Sequence, residues 1–281
     1  MNPPIRLGVF GLGQVYRQLY APAVAIRRDF CVAATADPAV PADFSQPEAL
    51  LAGAEVDAIL VLSPPPLHAR HVALALDRGL PVLVEKPPAL TVAEAEDWPN
   101  PVLLTCAFSR RYWKQYPGGL GRGHNLDYRL QTSPEAWGAK TVETVERDLL
   151  PHAADLAGWL SGEEIATVEG VTRTAGRASG TFVFESGRRF TWEVSHGHEY
   201  LETLAIDGRP VPDPARGLLA GAVRRLRREP APPVAAVASL LGDWAESLAG
   251  RPLPALAGVE SARSCARVIE AVERVPSSAS K

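Results

Sequence analysis

The sequence predicts a doubly wound α/β domain over residues 1–117. A second, α+β domain over residues 118–281 is expected to carry a mostly antiparallel open sheet. Three observations carry this. Up to Ala107, short apolar runs alternate with helical stretches. The first run ends in the glycine turn Gly11-Leu12-Gly13. Beyond Pro117 the apolar runs cluster with no helices between them, the pattern of antiparallel strands.

The elements follow in order. Ile5 to Phe10 is a continuous apolar run, suited to a strand buried on both faces. A helical pattern runs from Gln14 to about Arg28, and Pro22 should kink it by removing a backbone donor. Phe30 to Ala36 is the second strand, stopped by Asp37-Pro38. Ala58 to Leu62 is the third, stopped by Ser63 and three prolines. Leu67 to Arg78 reads as a helix closed by Gly79. Pro81 to Val84 is the fourth strand, and a short helix from Val92 to Trp98 leads to a fifth, Val102 to Ala107. Gly118 to Gly123 is a glycine-rich link, and Leu126 to Gln131 alternates like a strand. A helix is expected from Pro151 to Leu160, since proline suits the first helical position. Strands are expected at Thr167 to Arg173, Ala178 to Glu185, Arg189 to Ser195 and Leu201 to Ile206. Two helices, Val234 to Leu248 and Val259 to Val272, complete the pattern. Val237, Leu240, Leu241, Trp244 and Leu248 recur at helical spacing and read as core.

Composition narrows the function. The 281 residues carry a net charge of -3, so no broad basic field faces nucleic acid or anionic lipid. Arg224, Arg225, Arg227 and Arg228 form a local run that reads as the solvated last turn of a helix. Cys31, Cys106 and Cys265 are far apart, so neither a disulfide framework nor a zinc site is expected. His196 and His198 alternate on a strand without clustered partners, and no metal site is expected there. No apolar run reaches the length of a membrane span, and the first residues lack a signal-peptide layout. The expected setting is therefore the cytoplasm.

Two motifs carry chemistry. Glycines after a first strand allow a tight turn and let a pyrophosphate approach the main chain, where a helix N-terminus offers N–H groups. Gly11 and Gly13 stand there. Asp37 ends the second strand, where a carboxylate accepts from ribose hydroxyls, which favours NAD with NADP as the alternative. An aspartate before proline also starts ordinary turns. Tyr16 departs from the fingerprint, which wants glycine or alanine at its position for close helix–strand packing. The second motif is Glu85-Lys86-Pro87-Pro88 at the carboxyl end of a strand, where open α/β sheets bind ligands. A lysine there can hydrogen-bond a substrate oxygen or take part in proton transfer.

Read together, three stretches resemble the glucose–fructose oxidoreductase/inositol dehydrogenase family, written Gfo/Idh/MocA. They are Arg6 to Gly13 with Pro22; Val56 to Ile59 running through Ser63-Pro64-Pro65-Pro66-Leu67-His68 to Val82-Leu83-Val84-Glu85-Lys86-Pro87; and Asp148-Leu149-Leu150-Pro151-His152-Ala153-Ala154-Asp155. The likeness spans roughly the whole chain and is loose after Ser161. It implies a Rossmann domain that binds NAD(P), a small-molecule substrate, and an open C-terminal sheet as a candidate face for self-association. Gly11, Gly13, Gln14 and Val15 would line the pyrophosphate, and Asp37 the ribose. Ser63, Pro64, His68, Glu85 and Lys86 would surround the nicotinamide half. Lys86, Asp148 and His152 would match the catalytic lysine, aspartate and histidine. Arg111, after the fifth strand, and Trp137 would stand near substrate; both are equally readable as packing.

Oxidising a secondary alcohol needs a base for the hydroxyl proton while hydride leaves carbon. His152 has the right proton affinity, and the first turn of a helix favours its neutral form. His152 followed by Asp155 also reads as a helix-start pair. The expected activity is hydride transfer between NAD(P) and a sugar- or polyol-like alcohol or ketone. One alternative is a degenerate member that binds a nucleotide or small ligand as a sensor or subunit; another is reduction of an imine or unsaturated ring. The segment from Asp37 to Val56 is too short for a full crossover helix plus another strand, which should alter the adenine side.

Overall fold

The computed structural model describes residues 3–113, 115–116, 125–137, 143–213, 226–251 and 253–278, with the side chain of Trp137 outside the description. The glycine-rich link and Arg224 and Arg225 lie outside the described residues. The chain divides into two compact units. One gathers residues within 1–89, 93–113 and 215–263; the other gathers 90–92, 114–214 and 264–281.

The first unit holds a five-stranded parallel sheet: β1 Ile5–Phe10, β2 Phe30–Ala36, β3 Ala58–Val61, β4 Val82–Val84 and β5 Leu104–Cys106, in the order β2-β1-β3-β4-β5. β1, β3 and β4 are almost wholly buried, as their unbroken apolar runs require. The helices are α1 Ala21–Ile26, α2 Pro47–Gly53 and α3 His68–Leu76. Ahead of α1 the chain winds through a π-helical turn, Tyr16–Tyr20, closed by the Ala21 amide on Tyr16 O. Pro22 has no N–H to give Gln18, so the kink expected there takes the form of this wider turn. Tyr16 packs against the apolar cluster of the unit.

The sheet ends at β2. A single parallel bridge, Ala36 to Phe44, stands on its outer edge, with the Phe44 amide on Thr35 O at 3.0 Å and the Asp37 amide on Phe44 O at 3.1 Å. From there the chain passes through α2 to β3 on the far side of β1. The short segment after Asp37 thus yields one bridging residue where a further strand would stand.

The helices labelled next are α4 Val92–Glu96, α5 Pro134–Trp137, α6 Val145–Asp148, α7 Leu150–Ser161, α8 Pro232–Leu248 and α9 Val259–Glu273. α8 belongs to the first unit. Its Val237, Leu240, Leu241 and Trp244 are buried in the same cluster as Leu7, Val9 and Leu60, and Trp244 stacks on Phe30 with centroids 5.6 Å apart.

The second unit is a six-stranded sheet: β6 Leu126–Thr132, β7 Ile165–Thr174, β8 Arg177–Phe184, β9 Arg189–His196, β10 Leu201–Ile206 and β11 Arg209–Pro210. Its order is β11-β10-β6-β9-β8-β7, antiparallel except for β6 beside β9. Period-two alternation buries Tyr128, Leu130, Phe182, Phe190, Trp192 and Val194 on one face. Among the described residues, no helix is long and apolar enough to cross a membrane.

Candidate active site

In an open parallel sheet, ligands sit at the carboxyl ends of the strands where the strand order reverses, here between β1 and β3. The glycine turn leaves β1 at that point. Gly11 has φ +95°, and a Cβ on it would stand 2.7 Å from Leu62 O and Ser63 N. Only glycine lets the two strand ends close on each other there. Gly13 is the opposite case: among the described residues nothing lies within 4 Å of where its Cβ would be. Gln14 and Val15, both half-buried, follow in the first helical turn, whose N–H groups have no intrahelical acceptor.

Asp37 is joined to this turn directly. Its Oδ2 accepts from the Leu12 amide at 2.7 Å, and its Oδ1 from the amides of Ala39 at 2.8 Å and Val40 at 3.2 Å. The aspartate therefore starts a turn, as one sequence reading has it, and also braces the glycine loop. Oδ1 thus takes two amides and Oδ2 one, so Oδ2 is the oxygen with a lone pair beyond these backbone bonds. Arg17 donates to Leu12 O at 2.8 Å, which places a guanidinium beside the same loop.

The tips of β3 and β4 are tied by histidines. His68 is 1% exposed, with Nδ1 2.8 Å from Pro87 O and Nε2 2.6 Å from Ser63 O. Burial lowers its proton affinity and the two carbonyls raise it in part. Both ring nitrogens face main chain, so His68 fastens the Ser63 loop to the Lys86-Pro87 loop. His71 Nδ1 lies 2.9 Å from Ser63 Oγ, and burial holds this imidazole down at about 4, neutral near pH 7. Pro64 is exposed and Lys86 half-buried.

Glu85 precedes Lys86. Its Oε1 accepts from the Tyr20 hydroxyl at 2.9 Å and its Oε2 from the Lys86 amide at 3.0 Å. Burial raises the carboxyl, against the pull of Lys86, Tyr20 and Arg110. Tyr20 closes the π-helical turn, so this bond joins the glycine helix to the tip of β4. Arg111 lies in a 3₁₀ turn after β5 and donates to Ser261 Oγ at 3.1 Å and Ala255 O at 3.4 Å.

In the second unit, Asp148 closes α6 and His152 sits in the first turn of α7, whose second residue is Pro151. His152 and Asp155 are both buried, and α7 carries no side-chain cap bond at its N-cap, Leu149. Asp148 meets a residue that sequence reasoning set aside: His196 Nε2 is 3.2 Å from Asp148 Oδ2. Strand periodicity held the clue, because His196 shares the inward row of Phe190, Trp192 and Val194. The Trp137 side chain lies outside the described residues. Among the described residues, no group of three or more His, Cys, Asp or Glu is arranged to hold a metal ion.

A parallel sheet of this order, with a braced glycine turn at the switch point, defines a Rossmann-type dinucleotide-binding protein. Residues 5–99 match the GFO_IDH_MocA model, described as an oxidoreductase family with an NAD-binding Rossmann fold. Over residues 5–99 the chain is thus similar to the NAD-binding domain of the Gfo/Idh/MocA family. It is 32% identical over 209 residues to inositol 2-dehydrogenase 3 of Saccharopolyspora erythraea, covering 62% of this chain and 61% of that protein. The aligned region thus spans about three fifths of that relative's length. The fold matches apo scyllo-inositol dehydrogenase from Lactobacillus casei with a TM-score of 0.80 at 15% identity, covering 98% and 96% of the two chains. The same L. casei enzyme with bound NAD(H) and scyllo-inositol matches at 0.70 and 16%, covering 96% of each chain.

Proposed function

We propose that this chain is an NAD-dependent dehydrogenase that moves hydride between the cofactor and a secondary alcohol of a cyclitol or sugar, or the corresponding ketone. The observation that carries the reading is the glycine turn: Leu12 fixed by Asp37, with open space beside Gly13. The family-model match over residues 5–99 and the inositol dehydrogenases among the relatives support the substrate class.

The residues fit a dinucleotide. Tyr16 packs into the apolar cluster and leaves the space beside Gly13 clear. NAD supplies the hydride acceptor or donor when bound. Gly11, Gly13, Gln14 and Val15 would hold its pyrophosphate and Asp37 a ribose hydroxyl, with Ser63, Pro64 and Glu85 toward the nicotinamide. The negative charge of Asp37 disfavours a 2′-phosphate, and so NADP. His68 holds two loops in place and leaves direct contacts to its neighbours. Lys86 would polarise the reacting oxygen, His152 take the hydroxyl proton, and Asp148 accept from a second hydroxyl. Arg111 and Trp137 would bear on substrate choice. A cytoplasmic setting, where NAD is plentiful, suits this chemistry, and the open face of the second unit's sheet would serve self-association. Neither nucleic acid nor membrane enters the reading.

Fluorescence titration with NADH and NADPH tests cofactor binding. Lys86→Ala and His152→Ala should then abolish turnover on a panel of cyclitols and hexoses while leaving NADH affinity within about tenfold. Binding of neither nucleotide, or unchanged turnover in both variants, would overturn the proposal.

A further inference from the structure

We infer that His196 is a positioning residue for Asp148, fixing the direction in which that carboxylate meets its substrate. The inference rests on the dehydrogenase reading above. It starts from the register of β9. Residues 190, 192 and 194 are buried on one face of the sheet, and the two-residue period carries His196 to the end of that row. The strand is held there on both sides: Thr132 of β6 is its parallel neighbour, and the His196 amide donates to Gly176 O at 2.9 Å. Asp148 arrives from α6, with its own amide on Thr144 O at 2.9 Å. Two backbones fixed by separate elements, 48 residues apart, thus place Nε2 3.2 Å from Oδ2.

The exposures give the pair a direction. The imidazole is 14% exposed and the carboxylate 32%, so a mostly buried ring holds a carboxylate that solvent, and a solute, can reach. A carboxylate on its own turns about two side-chain bonds. A ring N–H on one oxygen removes that freedom and sets where the remaining lone pairs point. Donation from Nε2 also selects the tautomer in which Nδ1 carries no proton when the ring is neutral. For a polyol substrate, whose hydroxyls differ only in direction, a fixed acceptor orients the molecule. A misplacement of about 1 Å can cost about a hundredfold in rate.

The test uses the full chain, NAD, and a panel of cyclitols and hexoses. His196→Ala should lower kcat/KM by about 10- to 100-fold with NADH affinity within about twofold of wild type. His196→Gln, which keeps an N–H at the position of Nε2, should recover most of the loss. Combined with Asp148→Asn, His196→Ala should cost nothing further, because both remove one interaction. Wild-type turnover in His196→Ala, or losses that multiply in the double variant, would overturn the inference. A second measurement needs neither activity nor the alanine variant. In ¹H–¹⁵N spectra of the imidazole rings, the His196 Nε2–H signal should shift in Asp148→Asn. An unresponsive ring overturns the pairing. A responsive ring, in a wild type that oxidises nothing on the panel, upholds the pairing and overturns the dehydrogenase reading instead.

Discussion

The carboxylate of Asp37, at the end of the second strand, accepts a hydrogen bond from the amide of Leu12, in the turn after the first, at 2.7 Å. The same side chain takes the amides of Ala39 and Val40. Removing it leaves three backbone donors short of a partner. Asp37→Ala is expected to lower stability by about 1–2 kcal/mol, read from urea denaturation, and to weaken NADH binding by more than tenfold. Asp37→Asn keeps one acceptor oxygen but turns an amide N–H toward another donor, and should fall between the two.

Gly11→Ala should damage the fold itself. Its φ of +95° and the 2.7 Å approach to Leu62 O and Ser63 N leave a methyl group nowhere to go, since both neighbours are main chain. The expected loss is at least about 2 kcal/mol in the unfolding free energy.

Acid should weaken the first unit through His71. Burial holds this ring near 4 in the fold, against 6.5 for a free imidazole. Between those values the unfolded chain takes up a proton that the folded chain refuses, so stability falls as pH drops through that window and is full above it. The loss should approach about 2–3 kcal/mol by pH 4. His71→Gln should flatten that part of the curve, measured by urea midpoints from pH 7 to pH 4.

Trp244→Ala should cost about 3–5 kcal/mol, because the indole is buried against Phe30 in the core of the parallel-sheet unit. Its effect should appear in the same unfolding transition as Leu7→Ala, although 237 residues separate the two positions in the chain.

Much of this architecture was legible from local pattern. β1, β2 and β10 have the bounds their apolar runs announce, and the glycine turn and the Asp37 stop stand where the strands end. The strand count on the β2 side followed from length alone, since the segment after Asp37 cannot hold another crossover. What stayed hidden depends on contacts between distant segments. Nothing near Asp37 shows that its oxygens reach back to Leu12. Pro22 announced a kink but not its form as a π-helical turn that carries Tyr20 to Glu85. His196 looked isolated because its partner lies 48 residues earlier on a four-residue helix. The assignment of α8 to the first unit depends on packing against Phe30, which no window of sequence contains.

The most direct measurement is NADH titration of Gly13→Val beside the wild type. A Cβ at Gly13 meets no atom within 4 Å among the described residues beyond its chain neighbours, so the variant should fold with nearly the wild-type melting temperature. It would occupy the space assigned to the pyrophosphate, so NADH affinity should fall by at least about a hundredfold, or about 2.7 kcal/mol. Wild-type NADH affinity in a folded Gly13→Val would contradict the account.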